Sequence, residues 1–331
     1  MLGMITSARA ENTEAEELTT ILDGIHDPSL LNSFAFPEGK TVLRIAFPQI
    51  KECDSCLVTD GKENILIDCA TEEQAGNVIA MLKNQGIDHL NAIYITHPHP
   101  DHTGGLSRIL SELKVDSVWT CFSDLANEIS KTLPEICEQY EVPLERYAEG
   151  YEFQLGTASF KTYASTDRTL SVNDRSAAFR MQYGKAVMFF TADLEARGLR
   201  RIGNMLDPEE IRMDIIKYPH HGKNGLVREF WRPAQLRFAV VTSDSTPREG
   251  KTDLIYKGWA HAFTADGEIV LLTDGDTWCV CWAKDAKRIL NAENRDAGQI
   301  SEITDEEMPM TDADQAETIY ITIQRKDNHD Q

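Results

Sequence analysis

Thr96-His97-Pro98-His99-Pro100-Asp101-His102-Thr103-Gly104-Gly105 is the stretch that decides how this chain is read. Three imidazoles and a carboxylate fall within the six positions 97–102. These are the groups that bind zinc, manganese and iron. The run follows Ala92-Ile93-Tyr94-Ile95, a strand-sized apolar stretch, and leads into a glycine pair. On a loop leaving a buried strand, alternate residues project to one side. His97 and His99 can therefore clasp one ion while Asp101 and His102 reach a second. Pro98 and Pro100 stiffen the loop and remove competing backbone donors. Gly104-Gly105 lets the backbone turn tightly into a following helix. A chance cluster of surface histidines would need none of this framing.

Outward from the run, the texture is one of short apolar strands with helices interleaved. Upstream lie Val42 to Ile45, Ser55 to Val58 and Ile65 to Ile67, with Asp60-Gly61 as a hairpin signal between the last two. A helix begins at Thr71 and ends at Gly86, and a second runs from Gly104 through Leu113. Val115 to Trp119 reads as a strand and Ser123 to Gln139 as a helix despite Pro134. Further strands cover Ser159 to Tyr163, Ala177 to Tyr183 and Ala186 to Thr191, with a helix at Glu195 to Met205. Asp214 to Ile216, Phe238 to Thr242, Glu268 to Leu272 and Thr277 to Trp282 complete the strand set. Strands in runs with helices between them predict two sheets covered by helices outside.

Three segments are expected: an acidic helical extension over 1–40, one catalytic domain over 41–285, and an acidic tail over 286–331. Within the extension, residues 11–26 are weakly amphipathic. In the tail, 293–318 is rich in Asp and Glu and reads as disordered, with Ile319 to Gln324 able to return as a final strand.

Composition narrows the partners. Thirty-three basic and fifty-four acidic residues give a net charge of −21. A field of that sign repels polyanions, so tight binding to nucleic acid or an anionic membrane would need a local basic patch. No stretch approaches the length of a membrane span. Seven cysteines cannot all pair, and Cys53-Asp54-Ser55-Cys56 has no second such pair to make a zinc knuckle, so its thiols read as structural. Cys279 and Cys281 read as small buried hydrophobes on a strand. Ala8-Arg9-Ala10 has the small-x-small pattern of a signal cleavage site, yet only Met1 to Ile5 precede it as apolar material. The expectation is a soluble, cytoplasmic chain, with export the alternative if a longer signal lies ahead.

The pattern Thr-His-x-His-x-Asp-His-x-Gly-Gly at 96–105 resembles the signature of the metallo-β-lactamase superfamily. Ile65-Leu66-Ile67-Asp68 resembles that family's upstream strand ending in Asp, and Phe189-Phe190-Thr191-Ala192-Asp193 resembles the Thr-Gly-Asp motif whose aspartate bridges two ions. Asp214-Ile215-Ile216-Lys217-Tyr218-Pro219-His220-His221-Gly222 is similar to a motif of the ComEC-like branch. Asn173-Asp174-Arg175-Ser176 and Thr264 to Ile269 match the same branch. The resemblance spans residues 41–285. It implies a four-layer αβ/βα sandwich and two divalent ions, zinc first, with manganese and iron also accepted by such shells.

The ligand set implied is His97, His99, Asp101, His102, Asp193 and one of His220 and His221. The sequence leaves the order of that pair open; we place His220 as the ligand and give His221, with Asp101, the catalytic role. Asp101 and Asp193 would orient a water that the two ions acidify, while His221 contacts a phosphate oxygen or protonates the leaving group. Asn173, Ser176 and Lys223 are candidate substrate contacts, with Arg175 beside them. The superfamily often places a further histidine between the first cluster and the bridging aspartate; here none falls between 103 and 219. Asn173, Asp174 or a water would then complete the first ion's shell. Ala192 and Lys223 stand where Gly and Ser are usual.

The implied activity is hydrolysis of a phosphodiester or related phosphate ester, with a small-molecule or polymer substrate favoured over DNA by the charge. Acyl hydrolysis of a lactone, thioester or β-lactam is the same-site alternative, and a catalytically silent metal-binding module the alternative from another class.

Overall fold

Strands whose apolar residues are consecutive rather than alternating must be covered on both faces, and that requirement sets the architecture of this chain. The computed structural model describes residues 20–22, 40–122, 128–283 and 318–324. After β1 (Thr20–Leu22) come β2 (Leu43–Phe47), β3 (Cys56–Thr59) and β4 (Asn64–Ile67). Asp60 closes the β3–β4 turn, where its Oδ1 accepts the amides of Lys62 and Glu63 at 2.9 and 2.8 Å. Then follow β5 (His89–Leu90), β6 (Ala92–Ile95), β7 (Lys114–Val115), β8 (Val118–Thr120) and β9 (Leu144–Arg146). Helices Ala75–Asn84, Leu106–Glu112 and Glu128–Gln139 connect them.

The chain next builds β10 (Glu152–Leu155), β11 (Ala158–Tyr163), β12 (Ala178–Tyr183), β13 (Ala186–Phe190), β14 (Ile215–Lys217), β15 (Phe238–Val241) and β16 (Ala260–Phe263). It returns as β17 (Ile269–Thr273), β18 (Thr277–Ala283) and β19 (Thr318–Gln324). One large sheet runs β1-β19-β18-β17-β2-β3-β4-β6-β8-β9 and the other β10 to β16 in order, while β5 and β7 pair as a small third sheet. Each large sheet is antiparallel at one end and parallel at the other: β4, β6, β8 and β9 in the first, β13 to β16 in the second.

The strand period of two divides the side chains between layers. Ile45, Phe47, Ile65, Ile67 and Tyr94 meet Phe179, Met188, Phe190, Ile215 and Val240 between the sheets. From the same strands, Ala46, Leu66, Ile93 and Ile95 point outward to Val78, Leu82, Leu106 and Ile109 of the helices. On the second sheet Val187, Phe189, Ile216 and Val241 pack against Leu199, Ile202, Phe230 and Leu254. The result is a four-layer αβ/βα sandwich with one core between the sheets and one beneath each helical layer. Trp278 on β18 ties the layers by donating its indole N–H to Asp214 at 3.2 Å, and Asp214 also accepts the Val187 amide at 2.9 Å.

Several expectations change. Thr20–Leu22 falls inside the stretch expected to be helical, yet it is a strand paired antiparallel with β19. Thr, Ile and Leu suit an extended partner for an open strand edge. Since β19 pairs in turn with β18, both expected terminal segments contribute strands to the sheet of the middle one. The rest of the acidic extension, and the acidic tract 293–317, lie outside the described residues. Helix Glu249–Lys257 and strand β16 have no counterpart in the sequence reading. Among the described residues, no helix is long and apolar enough to cross a membrane.

Gly104 and Gly105 have φ near −60° and −78°, so the pair is not there for backbone freedom. A Cβ on Gly105 would stand 2.1 Å from the Cys69 carbonyl oxygen. The pair is required because the loop after β4 crosses the start of helix Leu106–Glu112 at van der Waals limit. Gly105→Ala is expected to cost about 3 kcal/mol by overpacking, read as a lower urea midpoint at unchanged m. An unchanged midpoint would mean that the crossing can open without strain.

Candidate metal centre

The histidine run leaves the C-terminal end of β6, and both other candidate segments leave the C-terminal ends of parallel strands in the opposite sheet. Asp193 follows β13 by way of Thr191 and Ala192, and His220 and His221 follow β14. This is where an open α/β sheet leaves a crevice. Pro100 occupies the first position of the short helix Pro100–Thr103, with His99 as its N-cap. Asp101 and His102 are thereby turned to the side that His97 and His99 flank.

Asp193 sits at the middle. Its Oδ1 lies 3.3 Å from His102 Nε2 and 3.4 Å from His221 Nε2. Its Oδ2 lies 3.9 Å from His97 Nε2 and 3.7 Å from His220 Nε2. Asp101 Oδ2 is 3.3 Å from His221 Nε2. Two groups result, each with all its donor atoms within 4.8 Å of one another: Asp101, His102, Asp193 and His221, and His97, His99 and Asp193. His102 Nε2 and Asp193 Oδ1 are buried and have no hydrogen-bond partner. Buried polar atoms are rarely left so, and a cation between these groups would satisfy both. Imidazoles and carboxylates in this arrangement fit divalent ions.

Behind these groups stands a second row of carboxylates. Asp68, at the end of β4, accepts the Thr96 amide and hydroxyl, both at 2.8 Å, and lies 2.7 Å from His102 Nδ1. Its hold on Nδ1 would leave Nε2 free for an ion. Asp54 does the corresponding work for His221, 3.3 Å from its Nδ1, while Thr242 Oγ1 donates to Asp54 at 2.6 Å. Lys217 donates its ammonium to Asp54 and, at 3.0 Å, to the Ala192 carbonyl. Asp54, Lys217 and Thr242 have no counterpart in the sequence reading. The signal was there in part: Lys217 ends the otherwise apolar β14, and Asp54 lies two residues ahead of β3. The cysteines flanking Asp54 are buried free thiols, and burial pushes that of Cys53 up to about 12.

The structure separates the expected site residues. Consecutive left-handed backbone at His220 (φ 48°) and His221 (φ 53°) splays the two rings, whose centroids are 6.0 Å apart. His221 stands with Asp101 and His102, while His220 stands on the side of His97. Ser176 is buried and its hydroxyl donates to the Asn173 carbonyl at 2.6 Å, closing a turn. Asp174 Oδ1 accepts the amides of Glu195 and Gly198 at 3.1 and 2.7 Å at the start of helix Ala196–Met205. Arg175 donates to the Ser171 carbonyl at 3.4 Å. Asn173 donates to Glu195 at 3.1 Å beside His220. Lys223 stands half-exposed, 3.4 Å from Glu52.

Charge in the metal-free centre follows from this crowding. Burial opposes a charged His102, but Asp193 and Asp68 outweigh it and raise its pKa well above the ordinary range. Burial likewise opposes His221, and Asp193 and Asp54 carry it up to about 10. His97 moves the other way, lowered by burial and by His102. At pH 7.5 the two raised rings therefore hold protons that a metal must displace. Loading is expected to release roughly two protons and to weaken as pH falls. Calorimetry in buffers of different ionisation enthalpy measures this, and a buffer-independent heat would contradict it. Asp54→Asn is expected to weaken the ion on His221 by about 10–100-fold, measured by competition with a chromophoric chelator.

Residues 51–120 match the family model of the metallo-beta-lactamase superfamily. ComE operon protein 3 of Bacillus subtilis (strain 168) is 24% identical over 173 residues, which cover 52% of this chain and 22% of that protein. The chain thus spans less than a quarter of that relative's length. Among solved structures, the metallo-beta-lactamase fold protein YhfI from Bacillus subtilis is similar at a TM-score of 0.46 and 11% identity, covering 71% of this chain and 100% of that one. Metallo-beta-lactamase SMB-1 is similar at 0.39 and 19% identity, covering 53% and 79%. The matched residues carry β3 to β8, Asp54, Asp68, the histidine run and the glycine pair, and over them the chain is similar to the metallo-beta-lactamase superfamily.

Proposed function

We propose that this chain is a metal-dependent hydrolase of a phosphodiester or related phosphate ester. The observation that carries the reading is Asp193, whose two oxygens face two separate His/Asp groups. That arrangement suits a pair of divalent ions, with zinc first and manganese or iron as alternatives. When bound, such ions would supply a Lewis acid and an activated water. His97, His99 and Asp193 would hold one, and Asp101, His102, Asp193 and His221 the other.

The chain's own groups support the rest. Asp101 is the most exposed carboxylate of its group, its side chain 24% accessible where Asp193 is 2%. It is placed to hold a water's proton on the open side. Lys223, at the rim, offers an ammonium to an anionic ester once its contact with Glu52 yields. Phosphate over acyl substrates is favoured by residues 173–176 and 214–222, which resemble the ComEC-like branch. The net charge of −21 favours a small or surface-polymer ester over DNA.

Zinc- or manganese-loaded protein is expected to turn over bis-para-nitrophenyl phosphate and to leave a lactone and a thioester largely intact. Loaded protein that cleaved only the acyl substrates would sink the phosphate reading. Asp193→Ala is expected to lower both metal content and turnover by more than the roughly 100-fold ceiling for losing a partner behind a ligand. Intact metal content and activity in that variant would overturn the whole assignment.

A further inference from the structure

Catalytic ions with open positions are commonly held by three or more protein groups, and the His97 side of the centre is short of a terminal imidazole. No histidine falls between 103 and 219, and Asp174 Oδ1 serves a helix start. Asn173 directs its amide N–H at Glu195. Asn173 Oδ1 is itself buried without a partner, and His220 is the imidazole that faces this position.

Its ring stands just outside the three-residue group and faces the same oxygen as His97. His220 Nε2 is 3.7 Å and His97 Nε2 3.9 Å from Asp193 Oδ2. The other ring nitrogen is already committed. His220 Nδ1 lies 2.8 Å from Asn224 Oδ1 and 3.3 Å from Glu195 Oε1. A carboxylate only accepts, so Nδ1 carries the proton and Nε2 presents its lone pair toward Asp193. The backbone is held to match: the His220 amide donates to the Ala192 carbonyl at 3.0 Å, directly beside Asp193. Metal-ligating histidines are held in this way, by an acceptor on the nitrogen away from the ion.

We propose that His220 Nε2 is the terminal ligand that completes the first ion's shell, with Glu195 and Asn224 as positioning residues that fix its ring. The adjacent histidines thus serve different ions, His220 the first and His221 the second. This inference rests on the metal-dependent reading above and concerns which residue closes one half of it.

Cobalt(II) titration of the full chain, followed by metal analysis and visible absorption, tests it without reference to turnover. The unaltered chain is expected to take up two ions. His220→Ala is expected to retain one and to lose the absorption of the other, with that ion bound more than about 100-fold more weakly. His221→Ala is expected to lose the opposite ion and give a different residual spectrum. If His220→Ala bound two ions with unchanged affinity and spectrum, this assignment would fail while the metal-dependent reading stood. If the unaltered chain took up none, both would fail. Should His220→Ala not fold, diethylpyrocarbonate labelling of the unaltered chain, mapped by mass spectrometry, decides the matter. His220 is expected to be modified without metal and protected with it; equal modification in both states would overturn the proposal.

Discussion

The centre depends on a buried ion pair that touches no candidate substrate position. Lys217, on the second sheet, meets Asp54, on the loop ahead of β3 in the first, and both side chains are almost wholly enclosed. Enclosing two charges is expensive unless the remaining valences are filled. Here they are: Asp54 also takes the Thr242 hydroxyl and faces His221, and Lys217 also takes the Ala192 carbonyl. The pair thereby fixes the backbone before Asp193 and the orientation of His221 together. A carboxylate-rich pocket thereby also holds an ammonium group that belongs to the chain itself.

Much of this was legible in the sequence because the ligands of the first sheet are contiguous. His97, His99, Asp101 and His102 need only one strand and one turn to converge, so spacing alone places them. The layered fold was legible for a similar reason: runs such as Ala186 to Phe190 are apolar at every position and need cover on both faces. The left-handed turn at His220 and His221 was not legible, since neither residue type demands it, and it decides which ring faces which group. Asp54 and Lys217 are 163 positions apart, and no local pattern links them. Ser176 and Asp174 were singled out by the resemblance at 173–176, and in the fold the Ser176 hydroxyl serves a local turn while Asp174 Oδ1 serves a helix start.

Strain is concentrated where the ligands are. Ala192, His220 and His221 all take positive φ without being glycine, a backbone state that costs roughly 1–2 kcal/mol per residue. The His220 amide to Ala192 and the Lys223 amide to His220 help to hold these turns. Backbone held in sparsely populated regions is a common mark of functional sites.

The division of the candidate groups between two sheets has a mechanical consequence. An ion held by His102 on one side and by Asp193 and His221 on the other would tie the halves of the sandwich together at that edge. Parting the sheets there would then mean breaking bonds to the ion, so a bound ion would favour the closed arrangement by mass action.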